Sequence, residues 1–131
     1  MSHSPKRILV AEDNPAMSNV ICFNLRRAGF EVCPAPDGAE AARRIDEEHF
    51  DLVFTDLQMP GLSGEELCQH IRHQAQLRDL PIVICSAKGL EIDTARLLVD
   101  YNLSKVMFKL FSPMELVFLA KSILGNPVEV S

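Results

Sequence analysis

Five short apolar runs alternate with helix-forming segments along the whole chain, and no other feature restricts its possible folds as severely. The runs are Arg7 to Ala11, Glu31 to Ala35, Asp51 to Thr55, Leu80 to Cys85 and Ser104 to Phe108. Each has the length and bulk of a buried strand. Between them stand helix signals with their stops. Asn14-Pro15 supplies a cap and a proline at the first helical position, and Met17, Val20, Ile21, Leu25 and Ala28 follow at helical spacing to Gly29. Asp37-Gly38 opens a second helix whose inner face is expected at Ala39, Ala42 and Ile45. Ser63-Gly-Glu-Glu66 has the form of a capping box, with Leu67 and Ile71 behind it. A fourth helix is expected over 92–101, ending at Asn102. Ser112-Pro-Met-Glu115 starts the last, which runs to about Leu124 before Gly125-Asn-Pro127.

Strict β/α alternation with short connections implies parallel strands, because right-handed crossovers put the helices outside. The expected fold is α/β: a doubly wound, flavodoxin-like five-stranded parallel sheet in the order 2-1-3-4-5, with helices on both faces. In that order the functional crevice lies beyond the carboxyl ends of strands one and three. Strand one ends at Glu12-Asp13 and strand three at Asp56. Ser86 and Lys109 follow strands four and five, so the fold would gather three carboxylates, a hydroxyl and an ammonium. Asp56 is expected at a tight turn, lifted off the strand where another molecule can reach it.

The motifs at the strand ends are Glu12-Asp13-Asn14, Asp56-Leu-Gln-Met-Pro-Gly-Leu-Ser-Gly64, Ser86-Ala87 and Lys109. In that order and at those places they resemble the receiver domains of response regulators, the phosphoacceptor modules of two-component signalling, over about Lys6 to Leu124. The resemblance implies that Asp56 is phosphorylated. It implies that Mg²⁺ is held by Asp13, Asp56 and the Gln58 backbone carbonyl, with Glu12 acting through metal-bound water. It implies that Ser86 donates to the phosphoryl group, that Lys109 pairs with it, and that the donor is a histidine kinase or histidine phosphotransfer protein. Physical chemistry agrees on the ion: clustered carboxylates resist ionisation unless a cation compensates, and Mg²⁺ favours such hard oxygen ligands.

Bulk properties narrow the rest. A chain of 131 residues, 47% hydrophobic and 24% charged, fits one folded domain. That domain is expected at 6–124, with flexible termini at 1–5 and 125–131. Net charge is −5 and the basic residues are scattered as pairs, which argues against direct nucleic-acid binding. Cys22, Cys33, Cys68 and Cys85 lack metal-binding spacing and read as small hydrophobes of a reducing cytoplasm. The N-terminus carries no signal-peptide pattern, and no apolar run approaches membrane-spanning length. His3, His49, His70 and His73 have no mutual spacing or partner that suggests a ligand or base and read as surface residues.

Two departures from the receiver pattern stand out. Leu110 replaces the proline that usually follows the lysine, so a trans Lys109–Leu110 bond is expected. Val106 stands where the family usually has Tyr or Phe, and Phe108 is expected to face the other way. Lys88, two residues past Ser86, is expected near the phosphoryl oxygens, where it would alter their lifetime. In the last helix Leu116, Leu119, Ala120, Ile123 and Leu124 suffice for the core. Met114, Val117 and Phe118 are left for a partner or a homodimer on the face of helix four, strand five and helix five. A stand-alone phosphoacceptor is the leading expectation, with a receiver excised from a larger protein beside it. The alternatives are a degenerate receiver that binds partners without phosphorylation, and an aspartate-nucleophile phosphatase. The second is disfavoured by Gln58, because those enzymes usually carry an acid two residues after the nucleophile.

Overall fold

The computed structural model describes residues 5–87, 92–109 and 111–125. The elements run β1 (Arg7–Ala11), α1 (Pro15–Arg27), β2 (Glu31–Ala35), α2 (Gly38–Glu47), β3 (Leu52–Asp56), α3 (Gly64–Arg72), a 3₁₀ turn (Ala75–Leu77), β4 (Ile82–Ser86), α4 (Thr94–Asp100), β5 (Lys105–Phe108) and α5 (Pro113–Leu124). All strands pair in parallel, in the order β2-β1-β3-β4-β5. Every residue of β3 and β4 is buried. Alternate residues feed two apolar layers. Leu9, Val53, Ile84 and Val106 pack with Ile45, Leu67, Ile71 and Leu97 from α2, α3 and α4. Ile8, Val10, Phe54, Val83 and Met107 pack with Ile21, Leu25, Leu116 and Ala120 from α1 and α5.

Local chemistry starts each helix where the residues say it should. Asn14 accepts from the Met17 amide and Asp37 from the Glu40 amide, at 3.0 and 2.8 Å. Ser63 and Glu66 form the reciprocal capping box. Ser112 accepts from the Glu115 amide at 3.2 Å. α4 starts later than 92 because the Asp93 side chain accepts from the Arg96 amide, which makes Asp93 the cap rather than an interior residue. Asn102 does take the left-handed conformation, with φ of 50°.

Three expectations about facing are corrected. The inner face of α2 is Gly38, Ala41 and Ile45 with Ala42 packed beside them as expected, while Ala39 is exposed. Close passage sets that phase, since a Cβ on Gly38 would stand 2.1 Å from the Leu62 carbonyl oxygen. On α1 Val20 is exposed and the short Ser18 is buried instead. Val117 is buried with Leu116 and Ala120, so the surplus on α5 is Met114 and Phe118 alone.

Val106 is buried in the layer shared with α2, α3 and α4. Phe108, two residues on, points to the same side of the strand and not the opposite one, because strand side chains repeat every second residue. It is 42% exposed. Lys88, the Lys109–Leu110 bond and the termini at 1–4 and 126–131 lie outside the described residues. Among the described residues no helix is long and apolar enough to cross a membrane. All four cysteines are unpaired, and only Cys33 is not fully buried.

Candidate functional site

Asp56 and Ser86 belong to the ladder and not to the loops beyond it. β3 extends one residue past its expected end, so that Asp56 pairs with Cys85, and β4 extends so that Ser86 pairs with Phe108. The amides that follow continue the pattern. Leu57 donates to the Cys85 carbonyl at 2.8 Å, and Lys109 donates to the Ser86 carbonyl at 2.7 Å. Asp56 is therefore 4% exposed and rigidly carried, which corrects the expectation of a carboxylate lifted clear of the sheet.

Glu12 lies just past β1 and is tied to β2 by its amide, which donates to the Ala35 carbonyl at 3.1 Å. One of its carboxylate oxygens accepts from the Asn14 amide at 3.1 Å, while the other, Oε1, is buried without a hydrogen-bond donor. Asp13 is exposed at the rim. One carboxylate oxygen from each of Glu12, Asp13 and Asp56 lies within 4.8 Å of the others. Lys109 Nζ donates to Asp56 Oδ2 at 3.1 Å and stands 3.6 Å from Glu12 Oε1. The Ser86 hydroxyl is buried beside this group with no partner. Gln58 is exposed on the turn between β3 and α3. Just before α5, the Phe111 ring meets Phe54 edge to face at 6.0 Å.

The electrostatics are those of a site short of positive charge. At an effective dielectric near 20, two carboxylates 4.8 Å apart repel by about 3–4 kcal/mol. Burial, with Asp56 adding to it, raises the Glu12 carboxyl above its ordinary 4.5 despite the Asn14 amide and Lys109. Burial works against the charge on Lys109, but its hydrogen bond to Asp56 and the nearby Glu12 outweigh that and raise its pKa. Beneath them, burial and Asp56 push the Cys85 thiol up to about 12, so Cys85 is inert.

A stability consequence follows for the metal-free protein. A carboxyl whose folded pKa is raised binds more protons folded than unfolded, so its contribution to stability is lost as pH climbs from 4.5 through the folded value. Glu40, Glu48, Glu65 and Asp46 are lowered by arginine or histidine partners and act in the opposite sense. Urea denaturation across pH of wild type against Glu12→Gln isolates the Glu12 part. With the metal chelated, Glu12→Gln gains on wild type as pH rises above 4.5; a constant difference between the two would contradict the assignment.

The sequence reading missed three residues that shape this place. The Thr55 hydroxyl donates to the Asp56 carbonyl at 3.0 Å. Gly64 lies so close that a Cβ there would stand 2.1 Å from the same oxygen. Gly38 stands against Leu62 in the β3–α3 connection. A glycine directly after the capping serine was the one available signal. His49 and His73 are exposed and His70 is half-buried, with His70 2.9 Å from Asp46 and His49 3.1 Å from Asp51. Asp46 and His70 line a groove of about 570 Å³ between α2 and α3 that shares no residue with the carboxylate cluster.

The comparisons with known proteins agree with this layout. The model of the response regulator receiver domain matches residues 8–121. The phosphate regulon transcriptional regulatory protein PhoB of Escherichia coli (strain K12) is 34% identical over 119 residues, covering 91% of this chain and 52% of PhoB. The alkaline phosphatase synthesis transcriptional regulatory protein PhoP of Bacillus subtilis (strain 168) is 35% identical, covering 91% of this chain and 48% of PhoP. The chain thus spans about half the length of the curated relatives it matches. Chemotaxis protein CheY4 of Vibrio cholerae shares the fold, with a TM-score of 0.84 at 24% identity over 92% of this chain and all of that one. The receiver domain of a Pseudomonas aeruginosa sensor histidine kinase, solved with a magnesium ion coordinated in its active-site cleft, gives a TM-score of 0.82 at 29% identity, covering 93% of this chain and 99% of that one. With the β2-β1-β3-β4-β5 sheet and the acidic cluster at the ends of β1 and β3, these matches make the chain a member of the response-regulator receiver domain family.

Proposed function

We propose that residues 6–124 form a phosphoacceptor domain that takes a phosphoryl group from phosphohistidine onto Asp56 and changes partner binding as a result. The observation that carries this is the buried Asp56 carboxylate, held by Lys109 at 3.1 Å inside a cluster of three carboxylates spaced for one cation. The donor set is all hard oxygen, and the undonated Glu12 Oε1 is a ready acceptor for a water on such an ion; both fit Mg²⁺. Asp13, Asp56 and the Gln58 carbonyl would hold the ion, with Glu12 behind them. When bound, Mg²⁺ neutralises the charge gathered on the transferring oxygens.

The remaining work falls to the protein's own residues. An Asp56 carboxylate oxygen attacks phosphorus, the N–P bond of the donor breaks, and the imidazole leaves with the electron pair and takes a proton. Little covalent help is needed for such a transfer, so fixed geometry and charge decide its rate. Ladder pairing of Asp56 with Cys85, continued by the Leu57 amide, supplies the geometry. Lys109, kept protonated by its acidic neighbours, pairs with the added charge. The unpartnered Ser86 hydroxyl is free to donate to it.

Exposed apolar side chains give the product somewhere to be read. Val99 on α4, Phe108 on β5, and Met114 and Phe118 on α5 are exposed, and a downstream protein or a second copy of the chain would cover them.

Intact-mass measurement after incubation with acetyl phosphate and Mg²⁺ tests the proposal. One added phosphoryl group is expected, lost when the metal is chelated. Absence of any addition would leave a partner-binding module, and sustained hydrolysis of unrelated phosphoesters would mean a phosphatase. Gel filtration of the same phosphorylated sample reads the dimer, and a monomer in both states would leave only a heterologous partner.

A further inference from the structure

The peptide that carries Asp56 is boxed in from several sides. The Asp56 carbonyl oxygen accepts from the Thr55 hydroxyl at 3.0 Å, and the Cα of Gly64 closes against it. The other end of the same peptide, the Leu57 amide, donates to the Cys85 carbonyl at 2.8 Å, and in the next peptide the Leu57 carbonyl accepts from the Gly64 amide at 2.9 Å. Everything in this frame is backbone except Thr55.

Thr55 has no exposed surface and sits in a strand otherwise built of Leu52, Val53, Phe54 and Asp56. Valine has nearly the same shape and would fill the position without a polar group to desolvate. A buried hydroxyl costs free energy unless it is bonded, and one ordinary hydrogen bond about offsets that cost. Net stability therefore does not account for a hydroxyl here. What it does is hold one peptide plane: the carbonyl it grips belongs to the phosphoacceptor, and the proposed metal-ligating carbonyl of Gln58 is two residues further on.

We infer that Thr55 is a positioning residue, whose hydroxyl fixes the Asp56–Leu57 peptide so that the Asp56 carboxylate and the Gln58 carbonyl converge on one cation. The inference rests on the receiver reading for the identity of the ion. A Thr55→Val protein keeps the packing and loses the bond; Thr55→Ser keeps the bond and loses a methyl group.

Mg²⁺ titrations of the whole chain, followed by the amide resonances of Asp13 and Gln58, give the dissociation constants. The Asp56 carbonyl ¹³C shift in the metal-free protein reports the bond itself. Thr55→Val is expected to move that carbonyl shift and weaken Mg²⁺ by about three- to tenfold, the equivalent of one ordinary hydrogen bond. Thr55→Ser is expected to restore both. Equal Mg²⁺ affinity in wild type and Thr55→Val overturns the inference, and so does a serine variant as impaired as the valine one. Wild-type protein that takes up no Mg²⁺ overturns the receiver reading along with it, an outcome separate from the other two.

Discussion

An Asp56→Asn protein is expected to accept no phosphoryl group from acetyl phosphate, to bind Mg²⁺ at least about tenfold more weakly, and to melt no earlier than wild type. Loss of the acceptor follows because an amide oxygen is a poor nucleophile and carries no charge to attract the ion. The stability half of the prediction is decided by magnitudes. At an effective dielectric near 20, the Lys109–Asp56 pair at 3.1 Å is worth about 5 kcal/mol of attraction. Against it stand the repulsions of Asp56 with Glu12 and with Asp13, each about 3–4 kcal/mol at 4.8 Å. Attraction and repulsion are thus of similar size once the exposure of Asp13 and the partial exposure of Lys109 are discounted, and burial of the Asp56 charge tips the balance toward the neutral side chain. Lys109 also keeps Glu12 at 3.6 Å and can still donate to the asparagine oxygen. Intact mass, amide-shift titration with Mg²⁺ and thermal melting read the three parts. Phosphoryl uptake by the folded variant would remove Asp56 from its role, and a large loss of stability would mean that Lys109–Asp56 pairing outweighs the repulsion.

A Gly64→Ala protein loses about 2 kcal/mol of stability although alanine is the better helix former. Gly64 opens α3, where replacing glycine by alanine would by itself gain at most about 1 kcal/mol. The added Cβ, however, would stand 2.1 Å from the Asp56 carbonyl oxygen and 2.8 Å from the Leu57 Cα. Both are backbone atoms, so no side chain can swing away and the strand end or the helix must move. Overpacking of this kind costs about 1–3 kcal/mol, and here the upper end applies. Gly61→Ala is the contrasting variant: with φ of +73° and open space around it, its cost is backbone strain of about 1–2 kcal/mol without pressure on Asp56. Urea denaturation should find both destabilised, while phosphoryl uptake falls only for Gly64→Ala. Equal uptake by the two would show that the α3 start does not hold the phosphoacceptor.

Much of the layout could be read from the residues because its signals are local. Asn14, Asp37, Ser63 and Ser112 each bond an amide three residues away, so the helix starts depend on short stretches of chain. The alternation of strands and helices, with the acids placed at strand ends, points to the right crevice by topology. The errors came where facing depends on distant contacts. α2 turns Gly38 inward because Leu62 passes it, a relation that no periodicity within α2 contains. Val117 is taken into the layer shared with α1, which leaves Phe118 and Met114 outside. Phe108 is a case of another kind, since period two alone puts it on the side of Val106 without any tertiary information.

By itself the sequence determined the order of strands and helices and the caps of α1, α2, α3 and α5, because hydrophobic period and capping chemistry act over a few residues, and the topology rule for such sheets then pointed to the strand ends that carry Glu12, Asp13, Asp56, Ser86 and Lys109. Only the tertiary structure decided that Asp56 is buried in the ladder, that Lys109 lies 3.1 Å from it, that Glu12 Oε1 and the Ser86 hydroxyl are left without hydrogen-bond partners, and that Thr55 and Gly64 close on one carbonyl. Burial, distance and bond satisfaction belong to pairs of segments far apart in the chain. They take their values only when the sheet has set its register.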